Sequence, residues 1–415
     1  MLYFYKYKDK YLFSFEKYHT LERIHEYDAK NSIDKLYFLN NLDPKKSRKS
    51  FLVNNPSLLF NKNEGIHLLL LNDEYSDKIP YWIVEKINKG LVISINTQYP
   101  NWEKVLYLEK KNKWKVNILA LGDVGSTLAI GLRLLGGECI EKIGLYDRDT
   151  NRLNRWIYEL NQIRIPFHEK ALPPVEALKK ENLFNCHMFI FCASKGIPPV
   201  ESGIQDVRMA QFKSNSNIIK EYALMARDMG FNGIFAVLSD PVDLLCKVAF
   251  LESNKDKNGH LDFKGIPSDR IIGYGLGVMN GRACFYAEKS QETLHYLDEG
   301  RVFGPHGQGL IVANSIENYD ENLSQYLTYK TIEANKEIRN FGFKPYVAPS
   351  LSSGALSIIA TIKEEWFYAS TYMGEAYIGS KCRLKDEQLE LEQLNLPYNL
   401  FKKIMNTYER LVSII

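Results

Sequence analysis

The chain has few cysteines and no cysteine pair at short spacing. Its six cysteines are scattered over 415 residues, and no CxxC pair occurs. Cysteine-based zinc sites and CxxC redox motifs use such pairs, so the cysteines indicate neither. We also expect no metal ion. Most of the cysteines stand in apolar stretches, as buried thiols do, which favours a reducing cytoplasm as the compartment.

Long apolar runs and a strong charge of one sign are missing as well. No segment approaches the roughly 20 apolar residues of a membrane span, and the first residues, MLYFYKYKDKYLF, lack the apolar core of a signal peptide. The formal net charge of +3 is too small to indicate nucleic acid or a membrane surface as a partner. We therefore predict a cytoplasmic protein with no nucleic-acid partner and no membrane partner.

The composition is that of a folded protein with substantial cores. Hydrophobic residues make up 45% and charged residues 25% of the chain, which are ordinary globular values. A single core does not grow to 415 residues, so two or three domains are expected.

Residues 1–112 differ from the rest in being rich in Tyr, Asn and Lys. Strand-like runs occur at YLFSF, HLLLLN and GLVISIN, and IPYWIVEKINK has the pattern of an amphipathic helix. The lysine-rich LEKKNKWK then leads into a new apolar run, VNILALG, as a linker leads into a first strand. These features predict a small α+β accessory domain at 1–112.

Residues 113–265 alternate apolar strand candidates with helical patterns. The strands are VNILAL, KIGLYD, MFIFCAS and GIFAVLS, and the helices lie at 125–136, 150–162 and 206–229. Strict alternation predicts βαβ units and an α/β fold with a parallel sheet covered on both faces. Residues 266–415 are mixed, with strand-like LIVANS and WFYASTYMGEAYIG and helices at 320–341, 352–365 and 393–413, which predicts an α+β domain.

The segment ILALGDVGSTLAIGLRLLG carries a shortened dinucleotide fingerprint. It places Gly122, Val124 and Gly125 between a predicted strand and a predicted helix. A glycine turn there lets a pyrophosphate approach the backbone amides at the helix N-terminus. An ordinary strand–helix turn is the alternative, because Ala120 replaces the usual first glycine.

The end of the next strand indicates which cofactor binds. KIGLYD ends at Asp147, 22 residues after Gly125. An acidic side chain at this distance can accept hydrogen bonds from the ribose hydroxyls and repel a 2′-phosphate, which favours NAD over NADP. Arg148 follows directly and can contact a phosphate instead, so NADP stays open.

Two further segments carry residues suited to acid–base chemistry. His306 lies in VFGPHGQGL, and Arg282 lies 24 residues before it in GVMNGRACF. An arginine can hold a carboxylate with two parallel hydrogen bonds, and a histidine can exchange a proton near neutral pH. Together they suit a 2-hydroxy acid dehydrogenase. Taken alone, Arg282 is typical of a structural ion pair and His306 of a turn.

From about residue 115 to 415 the chain resembles the lactate/malate dehydrogenase family. Seven features occur in family order and at close to family spacing: LALGDVGSTLA, Asp147, FIFCAS, RMAQFKSNSNIIKEYA, LSDPVDLL, IIGYGLGVMNGRACF and VFGPHGQGLIVAN. The resemblance implies a Rossmann NAD-binding domain at 113–265, followed by an α+β substrate domain at 266–415. It also implies hydride transfer between nicotinamide and a small 2-keto or 2-hydroxy acid, and a homo-dimer or homo-tetramer.

The same resemblance implies the roles of individual residues. His306 is the proton donor and acceptor, Arg282 is the clamp for the substrate carboxylate, and Arg208 is the mobile-loop arginine that polarises the carbonyl. Ser350 falls where the family has a threonine that contacts substrate and nicotinamide. Ser194 replaces a family glycine that follows a strand beside the cofactor.

The chain departs from the family pattern around the histidine. Met279 stands where an aspartate orients the catalytic histidine, three residues before the clamp arginine. Without that carboxylate the imidazolium loses its orienting hydrogen bond. Asp240 replaces the asparagine of the family's NPVD motif, and we hypothesise that its carboxylate takes over part of the orienting role.

The loop that selects the substrate also departs from the pattern. SKGIPPVESGIQDVR is longer than usual, and Pro199 is the nearest candidate for the position that separates lactate from malate. No arginine lies between Lys195 and Arg208, which counts against a standard malate dehydrogenase.

Two other functions stay open at this stage. A non-catalytic descendant would bind NAD and use residues 1–112 to contact a partner. An NAD-dependent glycosidase, which has a related Rossmann core, would need a Cys/His metal site at the substrate position, and the sequence offers none there.

Overall fold

The computed structural model describes residues 1–32, 34–72, 74–168, 170–195 and 207–415. Within these residues the strands form a six-stranded sheet, a nine-stranded sheet and a two-stranded sheet. No helix in this part of the chain combines the length and the apolarity that crossing a membrane requires.

The six-stranded sheet is built from residues before 97. Its strands are β1 Tyr3–Tyr7, β2 Lys10–Ser14, β3 Glu22–Ile24, β4 Leu36–Asn40, β5 Ser50–Leu52 and β6 Val92–Asn96, and its helices are α1 Glu26–Lys30 and α2 Tyr81–Asn88. The order β3-β1-β2-β4-β6-β5 has parallel pairs at its centre and antiparallel pairs at its edges.

One predicted strand of this region is wrong. The run HLLLLN overlaps a 3₁₀-helix at Ile66–Leu69 rather than a strand. Leu68 and Leu69 are both buried, and a short apolar run that is buried on several sides suits a helical turn as well as a strand.

The nine-stranded sheet contains the parallel core that the sequence predicts. Its parallel strands are β7 Trp114–Leu119, β8 Ile140–Tyr146, β9 Val175–Ala177, β10 Met188–Phe191, β11 Ile234–Val237 and β12 Ile271–Gly273. They lie in the order β9-β8-β7-β10-β11-β12, which is the Rossmann order. The predicted Rossmann fold is therefore confirmed, and its sixth strand lies beyond residue 265.

Helices cover both faces of this parallel sheet. They are α3 Asp123–Leu135, α4 Thr150–Gln162, α5 Val207–Asp228 and α6 Val242–Ser253. Successive strand residues point to opposite faces, and in β7 Ile118 and Leu119 accordingly pack into different hydrophobic clusters. Burial on both faces explains why these strands are continuous apolar runs.

The C-terminal region extends the same sheet. Its elements are α7 Leu276–Ala287, α8 Tyr296–Glu299, β13 Arg301–Phe303, β14 Ile311–Ala313, α9 Glu321–Asn340, a π-helix at Pro349–Leu356, α10 Ser357–Ile362, β15 Phe367–Met373, β16 Ala376–Lys385, β17 Gln388–Leu391 and α11 Tyr398–Ile414. Strand β15 pairs antiparallel with β12, and β16 and β17 follow it. These strands cover an edge of the parallel sheet that would otherwise expose unpaired backbone groups.

The N-terminal sheet packs against these added strands. The backbone N–H of Leu394 donates to the carbonyl of Leu69 at 2.8 Å, and the side chain of Asn54 donates to the carbonyl of Leu391 at 2.9 Å. Phe38 and Ile378 belong to one hydrophobic cluster. Residues 1–112 thus share a core with residues 266–415, and the boundaries at 112 and 265 stay predictions.

Candidate active site

A cavity lies at the C-terminal ends of the parallel strands. Strand order reverses between β7 and β10, and α/β sheets bind ligands in the crevice at such a reversal. The cavity has a volume of about 710 Å³ and is lined by the loops that follow β7, β8 and β10. Its lining includes the predicted cofactor residues Gly122, Val124, Gly125, Asp147 and Ser194.

The turn between β7 and α3 suits a dinucleotide. A Cβ on Gly125 would lie 2.0 Å from the carbonyl oxygen of Ala120, so a larger residue does not fit. Ala120 itself has a φ of +72°, the left-handed conformation that glycine adopts most easily. A Cβ on Gly122 would meet no atom within 4 Å, so this side of the turn is open to an approaching pyrophosphate.

Asp147 faces this cavity and also braces its loops. Its Oδ2 accepts a 2.7 Å hydrogen bond from the amide of Leu121, and its Oδ1 accepts one of 2.9 Å from the amide of Asp149. The guanidinium of Arg152 lies 3.6 Å from the carboxylate. Arg148 lines the same cavity, so positive charge adjoins the predicted ribose site.

Replacing Asp147 with alanine is expected to weaken NADH binding roughly fivefold, with NADPH affected less. The reason is the loss of an acceptor for the ribose hydroxyls, worth about 1 kcal/mol net. Titration of NADH and NADPH fluorescence measures both affinities.

The control for this variant is Arg148→Ala, which should weaken NADPH more than NADH. Equal losses of affinity for NADH and NADPH in Asp147→Ala would contradict the ribose contact. Asp147 would then have only its structural hydrogen bonds from the amides of Leu121 and Asp149.

His306 lies in the turn between β13 and β14. The turn is tied to β16 because Gly304 and Gly379 exchange backbone hydrogen bonds of 3.0 and 3.2 Å. Gly304 has a φ of +94°, and a Cβ there would lie 2.6 Å from the carbonyl oxygen of Gly309. The glycines around His306 therefore allow a tight turn that fixes the position of the histidine.

The structure brings His306 and Asp240 together. Asp240 follows β11, and its Oδ1 lies 2.8 Å from Nδ1 of His306. The histidine side chain is 14% exposed and the aspartate side chain 46%. The other ring nitrogen, Nε2, is buried and has no hydrogen-bond partner within the described residues.

A buried asparagine that the sequence analysis missed holds the loop of Asp240. Asn215 accepts a 3.0 Å hydrogen bond from the amide of Lys195 and donates one of 2.7 Å to the carbonyl of Asp240. It joins the loops that follow β10 and β11. A single asparagine within a helical pattern gives no local signal for this role.

Arg282 lies on α7 and lines a second cavity, of about 1090 Å³. Its guanidinium donates to Oδ1 of Asn335, and Nη1 lies 3.6 Å from the sulfur of Met279. Burial lowers the pKa of Arg282, while the negative charge of Asp240 acts in the opposite direction. The negative charge of Asp240 therefore favours the charged form of Arg282.

The structure does not bring the other predicted substrate residues into contact with either cavity within its described part. Ser350 is fully buried and donates to the carbonyl of Tyr346 at 2.6 Å. It does not line either cavity, whereas Ser352 lines the second one. Arg208 lies in α5 with its side chain outside the described part, and Pro199 lies outside the described residues. Their contacts with substrate stay predictions.

The described residues contain no group of three or more His, Cys, Asp or Glu side chains placed to hold a metal ion.

Comparison with known proteins agrees with this fold. Residues 114–261 match the family model of the lactate/malate dehydrogenase NAD-binding domain. An L-lactate dehydrogenase of Shouchella clausii is 27% identical over an alignment of 225 residues that covers 52% of this chain and 61% of that protein. L-lactate dehydrogenase 1 of Staphylococcus aureus is 24% identical over an alignment of 202 residues that covers 47% of this chain and 56% of that protein.

Two solved structures share the fold. A lactate dehydrogenase from a Medee basin deep-sea metagenome library has a TM-score of 0.59 at 19% identity and covers 73% of this chain and 98% of its own. The minor L-lactate dehydrogenase of Enterococcus mundtii has a TM-score of 0.59 at 18% identity, with the same coverage. At these identities the likeness concerns the fold.

The cavity at the reversal of strand order, together with the glycine turn that lines it, defines a Rossmann dinucleotide-binding protein. Residues 114–261 of the chain are similar to the NAD-binding domain of the lactate/malate dehydrogenase family. The chain spans 61% and 56% of the lengths of the two curated relatives named above.

Proposed function

We propose that the protein is an NAD-dependent dehydrogenase that interconverts 2-oxo and 2-hydroxy acids. The observation that carries this proposal is the 2.8 Å approach of His306 Nδ1 to Asp240 Oδ1, at the C-terminal edge of the parallel sheet. This pair supplies a carboxylate partner for the histidine although Met279 stands where the family has its aspartate.

Asp240 determines which nitrogen of His306 can exchange a proton. An ionised carboxylate only accepts hydrogen bonds, so Nδ1 carries the proton that points to Asp240. The exchangeable position is then Nε2, which is buried and lacks a partner within the described residues. A buried polar atom left in this state costs about 1–3 kcal/mol, and a substrate oxygen at Nε2 would offset that cost.

Gly122, Val124, Gly125, Asp147 and Ser194 are the residues proposed to hold the cofactor. When bound, NADH supplies the hydride for the reaction NADH + H⁺ + R–CO–COO⁻ → NAD⁺ + R–CHOH–COO⁻.

The side chains proposed at the substrate transfer the proton and bind the carboxylate. His306 delivers the proton to the carbonyl oxygen from Nε2 and takes it back in the reverse direction. Arg282 holds the substrate carboxylate through its planar fork. Arg208 is the residue proposed to polarise the carbonyl. Ser350 is proposed to contact the nicotinamide, for which its hydroxyl would have to leave the carbonyl of Tyr346.

The protein is expected to oxidise NADH in the presence of at least one 2-oxo acid, because the chain has a proposed proton donor in His306, a proposed carboxylate clamp in Arg282 and a glycine turn suited to the cofactor. The loss of NADH absorbance across a panel of 2-oxo acids measures this. The same mixture without the acid is the control. Saturable NADH binding without turnover on any acid would contradict the proposal and favour a non-catalytic NAD-binding protein that contacts a partner through residues 1–112.

The assembly and location belong to the same proposal. We expect a homo-dimer or homo-tetramer in the cytoplasm. Light scattering on the purified chain measures the oligomeric state, and a monomer at micromolar concentration would contradict this expectation.

A further inference from the structure

The second cavity is larger than a small acid requires. It measures about 1090 Å³ and lies between α7, α9 and the segment 341–349. Sites for small molecules typically measure about 300–1,000 Å³, and pyruvate has only three carbons. A ligand that fills more of this cavity must therefore have a substantial side chain.

The wall of this cavity is largely aromatic and aliphatic. It includes Phe285, Tyr286, Ile338, Phe343 and Tyr346. Phe343 is 72% exposed and Ile338 41% exposed, so part of this apolar surface faces water in the free chain. A ligand with an apolar side chain would cover that surface.

The wall also carries the cation that suits a carboxylate. Within the described residues the guanidinium of Arg282 donates to one oxygen, that of Asn335, although a guanidinium has five N–H donors. Lys289, Lys330 and Lys344 also line the cavity, against a single acidic residue, Glu337. The cavity is therefore apolar in its wall and positive in its charge.

An ion pair connects this cavity to the proposed cofactor cavity. Nζ of Lys344 lies 3.3 Å from Oδ2 of Asp123, and Asp123 lines the cofactor cavity while Lys344 lines the second one. The charge of Asp240, the partner of His306, acts on Arg282. A carboxylate bound at Arg282 would therefore lie in a cavity that adjoins the proposed cofactor cavity.

We propose that the second cavity selects 2-oxo and 2-hydroxy acids with a large apolar side chain, aromatic or branched, over three-carbon acids. This inference rests on the proposed function, and its reaction is the balanced one given above with R as the bulky group. The carboxylate lies on Arg282, and the side chain lies against the aromatic wall.

Two measurements on the full chain test this selection. The kcat/KM for phenylpyruvate is expected to exceed that for pyruvate at least tenfold. Calorimetric titration of the NADH complex, which needs no turnover, is expected to show N-benzyl oxamate binding at least tenfold more tightly than oxamate.

A variant that fills the cavity should remove the preference. Ala334→Phe, on the face of α9 that lines the cavity, is expected to lower both ratios about tenfold. Lys336→Phe lies on the same helix, is exposed and does not line the cavity, so it should leave both ratios unchanged. If Ala334→Phe fails to fold, Ile338→Ser is the second variant and should weaken N-benzyl oxamate alone.

The outcomes separate this inference from the proposed function. Turnover of pyruvate with equal affinities for both oxamates would overturn the inference and leave the dehydrogenase intact. Tight binding of N-benzyl oxamate without turnover of any acid would support the cavity and contradict the dehydrogenase. A dimer that Ile338→Asp dissolves, with neither oxamate binding, would assign the cavity to a second copy of the chain and overturn the inference.

Discussion

Asp240→Asn is expected to lower kcat for 2-oxo acid reduction by about 10²–10⁴-fold, the usual range for a positioned acid–base group. The amide keeps the size of the side chain but lacks the charge that stabilises the imidazolium. It can also turn its NH₂ toward Nδ1, and the proton would then move to Nε2 in the neutral ring. The rate of NADH loss under saturating 2-oxo acid measures this change.

The matched control for this prediction is Asp298→Asn, an exposed aspartate on α8, which should leave kcat unchanged. NADH affinity should also persist in Asp240→Asn, since Asp240 does not line the cofactor cavity. If His306 and Asp240 act as a unit, His306→Asn and the double variant should be similarly slow, because effects within a unit are not additive. An unchanged kcat with a lower KM would instead make Asp240 only a charge that repels the substrate.

The packing of α7 explains why the carboxylate partner of His306 is Asp240 and does not lie at position 279. Met279 is 3% exposed and belongs to a hydrophobic cluster with Leu276 and Ala283. A charged group in such a cluster would need a partner to offset its desolvation. Asp240 is 46% exposed at its side chain, so its charge stays partly hydrated while it still reaches His306.

Local signals made much of the fold predictable. The helix predicted at 150–162 has the bounds Thr150–Gln162, and Asp149 caps it by accepting from the amides of Asn151 and Arg152. The parallel strands are apolar on both faces, which the alternation of apolar runs and helical patterns indicates directly. Where a capping residue or a period of 3.6 marks an element, its bounds can be read from the sequence.

Elements that depend on distant partners were not predictable in this way. Strand β9 has three residues and is held in place by pairing with β8, so it leaves almost no pattern. The hairpin of β15 and β16 was visible as strand-like, but its pairing with β12 of the parallel sheet was not. Sheet membership is decided by tertiary contacts, which a local pattern does not encode.

In the candidate site, too, features with a local sequence signal were predictable and features that depend on distant contacts were not. The glycine turn and Asp147 follow from spacing along one βαβ unit, and the structure places them around one cavity. The hydrogen bond that Arg282 donates to Asn335 joins α7 to α9 through residues that are 53 positions apart in sequence. The burial of the Ser350 hydroxyl depends on a π-helix, which has no sequence signal of its own.

The second large effect is expected at Arg282, where Arg282→Lys should weaken oxamate binding to the NADH complex about 10- to 100-fold. Lysine keeps the charge but loses the planar fork that binds a carboxylate through two parallel hydrogen bonds. A hydrogen bond to a charged group is worth about 1.5–3 kcal/mol, and each 1.4 kcal/mol corresponds to about tenfold in affinity. Calorimetric titration measures the loss directly.

Arg339→Lys is the matched control for this substitution, because Arg339 is exposed on α9 and does not line the second cavity. It should bind oxamate as the parent does. Arg282 also packs against Met279 and Asn335, so thermal unfolding of Arg282→Lys separates a loss of packing from a loss of the clamp. A lower Tm with unchanged oxamate affinity would make Arg282 a structural residue, whereas an unchanged Tm with weakened oxamate binding is the result expected of a carboxylate clamp.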